Sequence, residues 1–297
     1  HSKHRIVIIT VAIGIVAAVS FLVYCSFALY RYYQYNTFIY RVTQVAPFPV
    51  ARAGNRFVAY ESYLFELRHY VHYYQNQNNT AFIGGDQQQL IAYRKQALKD
   101  VINNAYIKTL AANNGVKVSD KEVNARINQV RAQNRLGSNN KVFADVLRSY
   151  WGWSINDFKR SLKEQILADK VVAKLDTGSS KRAEAALAQI SVGTDFSTVA
   201  KQFSDDPGVA TNNGDYGINI TKDNPNIQPQ VVSELFKLKP GQVSGVINAG
   251  NSLEIVKVTQ VSGNVVTAQH ISFKLKDINT YIDELKKSKP THTYIKL

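Results

Sequence analysis

Hydrophobic residues run unbroken at the start of the chain, recur at helical spacing through its middle, and alternate with polar residues towards its end. The unbroken run is Ile6 to Tyr30, "IVIITVAIGIVAAVSFLVYCSFALY", 25 residues without a charge. A helix of that length crosses a hydrocarbon core of about 30 Å. Lys3, His4 and Arg5 precede it and Arg31 follows. The short basic segment at residues 1–5 is therefore predicted to stay in the cytoplasm, with the rest of the chain outside. A cleaved signal would have a shorter apolar region ending in small residues. Ser26-Phe27-Ala28 is a poor match to such a site, and Tyr24 stands where a lipoprotein signal places a small residue before its cysteine. The pattern predicts an uncleaved anchor over residues 6–30, with the aromatic run at 30–40 in the interfacial belt.

Residues 31–55 are predicted as an interfacial segment and extended linker, punctuated by Pro47 and Pro49. A short strand follows at 56–60. Helical spacing then covers 61–76, 86–113, 118–137 and, on either side of Gly152, 139–176. In the second of these, Leu90, Tyr93, Ala97, Val101, Ala105 and Leu110 share one stripe. Ser119 with Glu122 has the form of a capping box, and Ser154 is placed to cap the last helix. "DTGSS" at 176–180 reads as a boundary. Residues 56–178 are thus predicted as one helical domain and residues 179–297 as a second domain of different make-up.

In that second domain the rhythm changes. Residues 181–190 are amphipathic, and Asp195 is placed to cap a short helix whose Phe196, Val199 and Phe203 face inward. Alternation over 253–260 and 265–273 predicts two strands, and "VSGN" between them can turn a hairpin. His270 stands alone in the second strand. A helix at 277–287 and a terminal edge strand in "THTYIKL" complete the domain.

Composition sharpens this picture. Hydrophobic residues are 45% and charged residues 20% of the 297, a globular balance. The net charge of +14 is uneven: residues 179–297 hold 13 Lys and Arg against 11 Asp and Glu, and residues 1–178 hold 23 against 11. A basic front half beside a membrane suits anionic lipid or an acidic wall polymer. No helix-turn-helix, zinc-finger or RNA-binding signature is present, so no nucleic-acid partner is expected. Cys25 is the only cysteine, which excludes a disulfide within the chain and a cysteine-based metal site. His69 and His72 are three apart on a helix without a carboxylate cluster, so they are expected as exposed histidines and no metal site is expected. "NNT" at 78–80 and "NIT" at 219–221 fit the glycosylation pattern, which recurs by chance.

The Pro-Val-Ala entry to a short strand, the "VSDKEVNARI" helix and the "SINDFKRSLKEQILADKVV" helix resemble, over residues 47–176, the N-terminal chaperone domain of SurA and PrsA type foldases. "GTDFSTVAKQFSDD", "NNGDYG", "ELFKLKPGQVSGVI" and "LEIVKV" resemble, over about 181–260, the parvulin family of peptidyl-prolyl isomerases. The resemblance implies an α+β domain with a four-stranded antiparallel sheet. It also implies an extracytoplasmic foldase acting on unfolded or proline-containing exported polypeptides, without a cofactor. Asp206 matches the site position after Phe-Ser-Asp. Ile227, Val231 and Phe236 match the apolar proline pocket, and His270 matches the first of the family's two histidines. Glu254 aligns with the second, a departure from the pattern.

The family's His-bearing first strand is missing ahead of the helix at 181–190, and "TAQHISF" is the other place to find it. The resemblance therefore implies a circularly permuted sheet in which that strand comes last. Local readings stand beside these assignments. His270 alone on a strand is an ordinary structural histidine, Asp206 could cap the turn before Pro207, and Glu254 reads as a solvent-facing strand residue. A catalytically silent holdase of the same family is the alternative function.

Overall fold

The computed structural model describes residues 2–78, Phe82 and residues 87–297. The "NNT" triplet and Asp86 lie wholly or partly outside these described residues. The chain folds as two compact units, residues 1–105 with 286–297, and residues 106–285.

The first unit begins with α1 (Ser2–Tyr30), and within it Val7–Tyr30 is long and apolar enough to cross a membrane, with mean hydropathy 2.7. The stretch expected to be an extended linker is instead built. Asn36 accepts from the Ile39 N–H and caps α2 (Thr37–Val45), which buries Ile39 and Thr43. Only then do Pro47 and Pro49 force an extended path into β1 (Pro49–Ala53). β1 pairs antiparallel with β2 (Arg56–Ala59) across Gly54, whose φ of 58° suits glycine.

α3 (Tyr60–Asn78) follows, and Tyr60, Tyr63, Leu64 and Leu67 on it are fully buried. The Tyr60 hydroxyl donates to the Leu29 carbonyl at 2.8 Å, and the Tyr30 ring meets Tyr60 edge-on. The last turn of α1, with Cys25, Ala28 and Leu29 buried, is therefore clasped by this unit. In α4 (Gln87–Asn113) Leu90, Ala97, Val101 and Ala105 of the expected stripe are buried and Tyr93 and Leu110 half-buried, but Ile102, Tyr106, Ile107 and Ala111 are buried too, so the buried face is wider than one stripe.

In the second unit, the local signals of the sequence hold. α5 (Asp120–Gln133) opens on the Ser119–Glu122 capping box. α6 (Asn140–Trp151) ends at Gly152 in the left-handed region, and α7 (Ile155–Leu175) opens on a box made by Ser154 and Asp157. These three helices bury Val123, Ile127, Phe143, Leu147, Leu162 and Ile166 together. "DTGSS" is not a loop. Asp176 ends α7 and at once caps α8 (Thr177–Ser191), its carboxylate accepting from the Ser179 and Lys276 N–H groups. A single buried carboxylate thus joins two helices without a linker.

α9 (Phe196–Phe203) is capped by Asp195, and α10 (Val209–Asn212) and α11 (Pro229–Leu235) follow. The sheet runs β3 (Ile247–Asn248), β4 (Ser252–Ser262), β5 (Val265–Lys274), all antiparallel. Isolated bridges from Val243 to β4 and from Asp215 and Ile220 to β5 extend it at both edges. β4 and β5 turn at Gly263-Asn264, where Gly263 has φ 56°.

One face of this hairpin presents Leu253, Ile255, Ile271 and Phe273 to α8 and α9. The other presents Val256, Val258, Val266 and Ala268 to α11. α12 (Ile278–Ser288) matches the expected helix. The terminal strand does not join this sheet. β6 (Thr291–Thr293) pairs with β1, Ala51 opposite Thr293 and Ala53 opposite Thr291. Its short alternating pattern fits any open edge, and the free edge of β1 took it.

Truncating the chain before Val265 removes the strand that covers β4 and exposes both apolar faces. The unit at 106–285 is expected to lose its cooperative thermal transition and its resistance to limited proteolysis. Retention of both would contradict this account.

Candidate active site

The pairing of β4 with β5 sets Glu254 opposite Ser272 and Val256 opposite His270. Alternation places Ser252, Glu254, Ser272 and His270 on one face. There His270 Nδ1 lies 3.2 Å from Glu254 Oε2, and Nε2 lies 3.0 Å from Asp206 Oδ2. Glu254 is buried, only 8% exposed, so the solvent-facing reading of this residue is overturned. Its other oxygen accepts from the hydroxyls of Ser252 and Ser272, each at 2.7 Å. A strand residue reads as outward when it is charged, but here both faces of the hairpin are covered and its acceptors are filled.

Two loops of the quoted motifs grip β5. In the "FSDD" turn, the Asp205 N–H donates to the Ser272 carbonyl, and Ser204 Oγ accepts from the Ser272 N–H. Arg182 holds Asp205 through two hydrogen bonds and lowers its carboxyl below the usual range. Asp206 does cap its turn, accepting from the Gly208 N–H at 2.9 Å, and it meets His270 with its other oxygen. The local and the site readings of Asp206 describe one side chain.

In "NNGDYG", the His270 N–H donates to the Gly214 carbonyl at 2.7 Å. Gly214 has φ 81°, and a Cβ there would stand 2.7 Å from the His270 carbonyl oxygen. Tyr216, which sequence reasoning passed over, stacks on the His270 ring at 4.2 Å between centroids and 17° between planes. Burial, then the charges of Glu254 and Asp206, push its phenol well above the usual range. Its signal lay in the motif itself, two residues after Gly214.

A carboxylate can only accept. With an acceptor on each ring nitrogen, His270 is satisfied as the doubly protonated imidazolium. Burial works against that charge, but the hydrogen bond and charge of Glu254, then the charge of Asp206, outweigh it, and the imidazole is raised above its ordinary value.

His270, Asp206, Glu254 and Tyr216 open onto a cavity of about 1160 Å³. Ile227 and Val231 line it, packed in one apolar cluster with Tyr216. Phe236 packs against the same cluster, half-buried, with Lys222 Nζ 5.5 Å from its ring centre, but it does not line the cavity as Ile227 and Val231 do. The site can hold a small apolar ring beside a charged, hydrogen-bonding group. It offers no unengaged nucleophile next to a base.

Residues 1–172, more than half of the chain, match the family described as SurA-like N-terminal domain. The chain belongs to the SurA-like N-terminal domain family. Residues 166–260 of this SurA-like chain also match the PPIC-type PPIASE domain, of the rotamase family. Foldase protein PrsA of Geobacillus sp. (strain WCH70) is 26% identical over 59% of this chain and 50% of its own length. Parvulin-like PPIase of Rickettsia typhi is 27% identical over 56% of this chain and 59% of its own. The chain spans about half the length of these curated relatives. A crystal structure of foldase protein PrsA from Streptococcus pneumoniae covers 65% of this chain and 76% of its own at 20% identity, with a TM-score of 0.21.

Because the His270 value is raised on folding, its stabilisation is complete below pH 6.5, the ordinary value, and is lost as pH rises through the raised one. Thermal melts should therefore show stability declining above pH 6.5, a slope missing in His270→Gln. Equal slopes would refute the imidazolium arrangement. Gly214→Ala should cost about 2 kcal/mol or more in chemical denaturation, from left-handed strain and the clash with β5.

Proposed function

We propose that this SurA-like protein is a peptidyl-prolyl cis–trans isomerase that assists the folding of exported polypeptides. Rotation about the X–Pro bond meets a barrier of about 18–20 kcal/mol, because the amide loses resonance halfway. No bond is made or broken, so the site need only bind the twisted amide better than either planar form. The observation that carries the reading is the Asp206–His270–Glu254 chain beside Ile227 and Val231, in one cavity.

In this reading the proline ring rests on Ile227 and Val231, and Asp206, held by His270, lies beside the twisting amide. Glu254 acts through His270 and is a positioning residue. The clients are unfolded or proline-containing chains, and no cofactor takes part. The match to the rotamase family ends at residue 260, before the strand that carries His270. That supports a permuted sheet whose His-bearing strand follows the others in sequence.

The functional division we propose falls near residue 178. Residues 56–178 hold clients and 179–297 isomerise, with β6 lent to the membrane-proximal sheet. We also propose that α1 is an uncleaved anchor with the remainder outside the membrane. The burial of Leu29 and the Tyr60 clasp support retention of that helix. The basic residues of the first half would favour anionic lipid or wall polymer.

A second reading has a specific observation behind it. Glu254 stands where the resemblance calls for a second histidine, and a holdase that binds proline segments without turning them over fits that change. The whole chain in lipid nanodiscs, assayed on a proline-containing tetrapeptide, separates the two. Isomerase activity that falls at least tenfold in His270→Ala and Asp206→Asn supports the enzyme. Suppressed aggregation of an unfolded client with no isomerisation supports the holdase.

A further inference from the structure

The cavity is not walled by the rotamase-like segment alone. Arg126 of α5 and Asp169 of α7 line the same space as His270 and Asp206. α5 is fastened there: Gln133 Nε2 donates to the carbonyls of Asn224 at 2.7 Å and Ile227 at 2.9 Å, and Arg135 is ion-paired with Asp223. α7 is fastened too. Asn248 Nδ2 donates to the Asp169 carbonyl at 3.0 Å, and Gly250 comes so close that a Cβ would lie 3.3 Å from Asp169 Oδ1.

Arg126 is the group this arrangement leaves unexplained. Its side chain is 15% exposed, yet its ion pair with Asp169 is loose, Nη1 lying 3.7 Å from Oδ2, and Oδ2 accepts no hydrogen bond among the described residues. A guanidinium carries five N–H donors in a rigid fork. The guanidinium faces the cavity, paired only loosely with Asp169, and burial lowers its value despite that carboxylate. Donors in the wall of a cavity call for acceptors that enter it.

The chemistry of the wall narrows which acceptors these are. Asp169, Asp205, Asp206, Glu254 and Asp277 line the cavity against Arg126, Lys274, Lys276 and the His270 imidazolium, so the wall has no excess of positive charge to select an acidic ligand. The carbonyl oxygens of an extended main chain are neutral acceptors and need no such excess. A proline ring on Ile227 and Val231 also fills only part of about 1160 Å³.

We propose that Arg126 grips the main-chain carbonyls of the client polypeptide outside its X–Pro pair, so that α5 and α7 form part of the isomerase's binding cleft. The proposal rests on the isomerase reading for the nature of the client. The grip is indifferent to client sequence and favours longer chains over short ones.

The test uses the whole chain in nanodiscs and two peptides with the same X–Pro core, a tetrapeptide and one of about twelve residues. The readouts are the ratio of kcat/KM on the longer to that on the shorter, and binding of the longer, fluorescently labelled, by anisotropy. Arg126→Ala should lower the ratio and weaken binding about tenfold or more, the loss of one charge-assisted hydrogen bond. Arg126→Gln, which keeps a polar end but not the fork, is the second variant, and thermal melts establish that each is folded. A folded variant with an unchanged ratio and unchanged binding overturns the proposal. If the wild-type protein binds the peptide but isomerises neither, the isomerase reading falls, and the anisotropy of the variants alone decides the role of Arg126.

Discussion

The register of β4 on β5 governs nearly everything in the unit at 106–285. With Glu254 opposite Ser272 and Val256 opposite His270, the polar residues of both strands share a face with the apolar cluster beneath α11. Leu253, Ile255, Ile271 and Phe273 take the opposite face, against α8 and α9. A slip of β4 by one residue would drive Glu254 into an apolar core and turn Leu253 and Ile255 towards the cavity. The pattern that folds the hairpin is therefore also what aims the site. The loops at Ser204–Asp206 and Gly214 then lock β5 at the height where His270 reaches Asp206.

What could be read from the sequence was local or motif-bound. Ser119, Ser154 and Asp195 cap helices because each satisfies N–H groups two or three residues away, a relation that short spacing records. The alternation around His270 and the Gly-Asn turn before it are equally local. The rest depended on partners distant in sequence. β6 carries no mark that assigns it to β1. Glu254 looks outward until the hydroxyls of Ser252 and Ser272 are placed beside it. Tyr216 is one of 17 tyrosines, and nothing short-range says that it stacks on a histidine 54 positions away. α2 was hidden behind an aromatic run and two prolines that more often mark irregular chain.

The family boundaries and the compact units do not coincide. The SurA-like match runs through residue 172, yet α5, α6 and α7 fold in one unit with the rotamase-like segment. Just beyond the overlap of the two matches at 166–172, Asp176 is a helix junction with a buried carboxylate, anchored as far along the chain as Lys276. A helix boundary of this kind transmits position, whereas a glycine-rich linker would absorb it. Arg126 and Asp169 are held on the cavity wall by the hydrogen bonds of Gln133 and Asn248 that fasten α5 and α7 there.

The pairing of β6 with β1 sets an order of events. Residues 49–53 follow α1 and α2 near the start of the chain and are among the first to be made, but their third strand is supplied by residues 291–293. Everything between, including the whole unit at 106–285, must be made before that small sheet can close. The sheet that follows the apolar helix is thus the last to be finished. During synthesis its edge strand stays open, and the closing strand arrives only after the hairpin bearing His270.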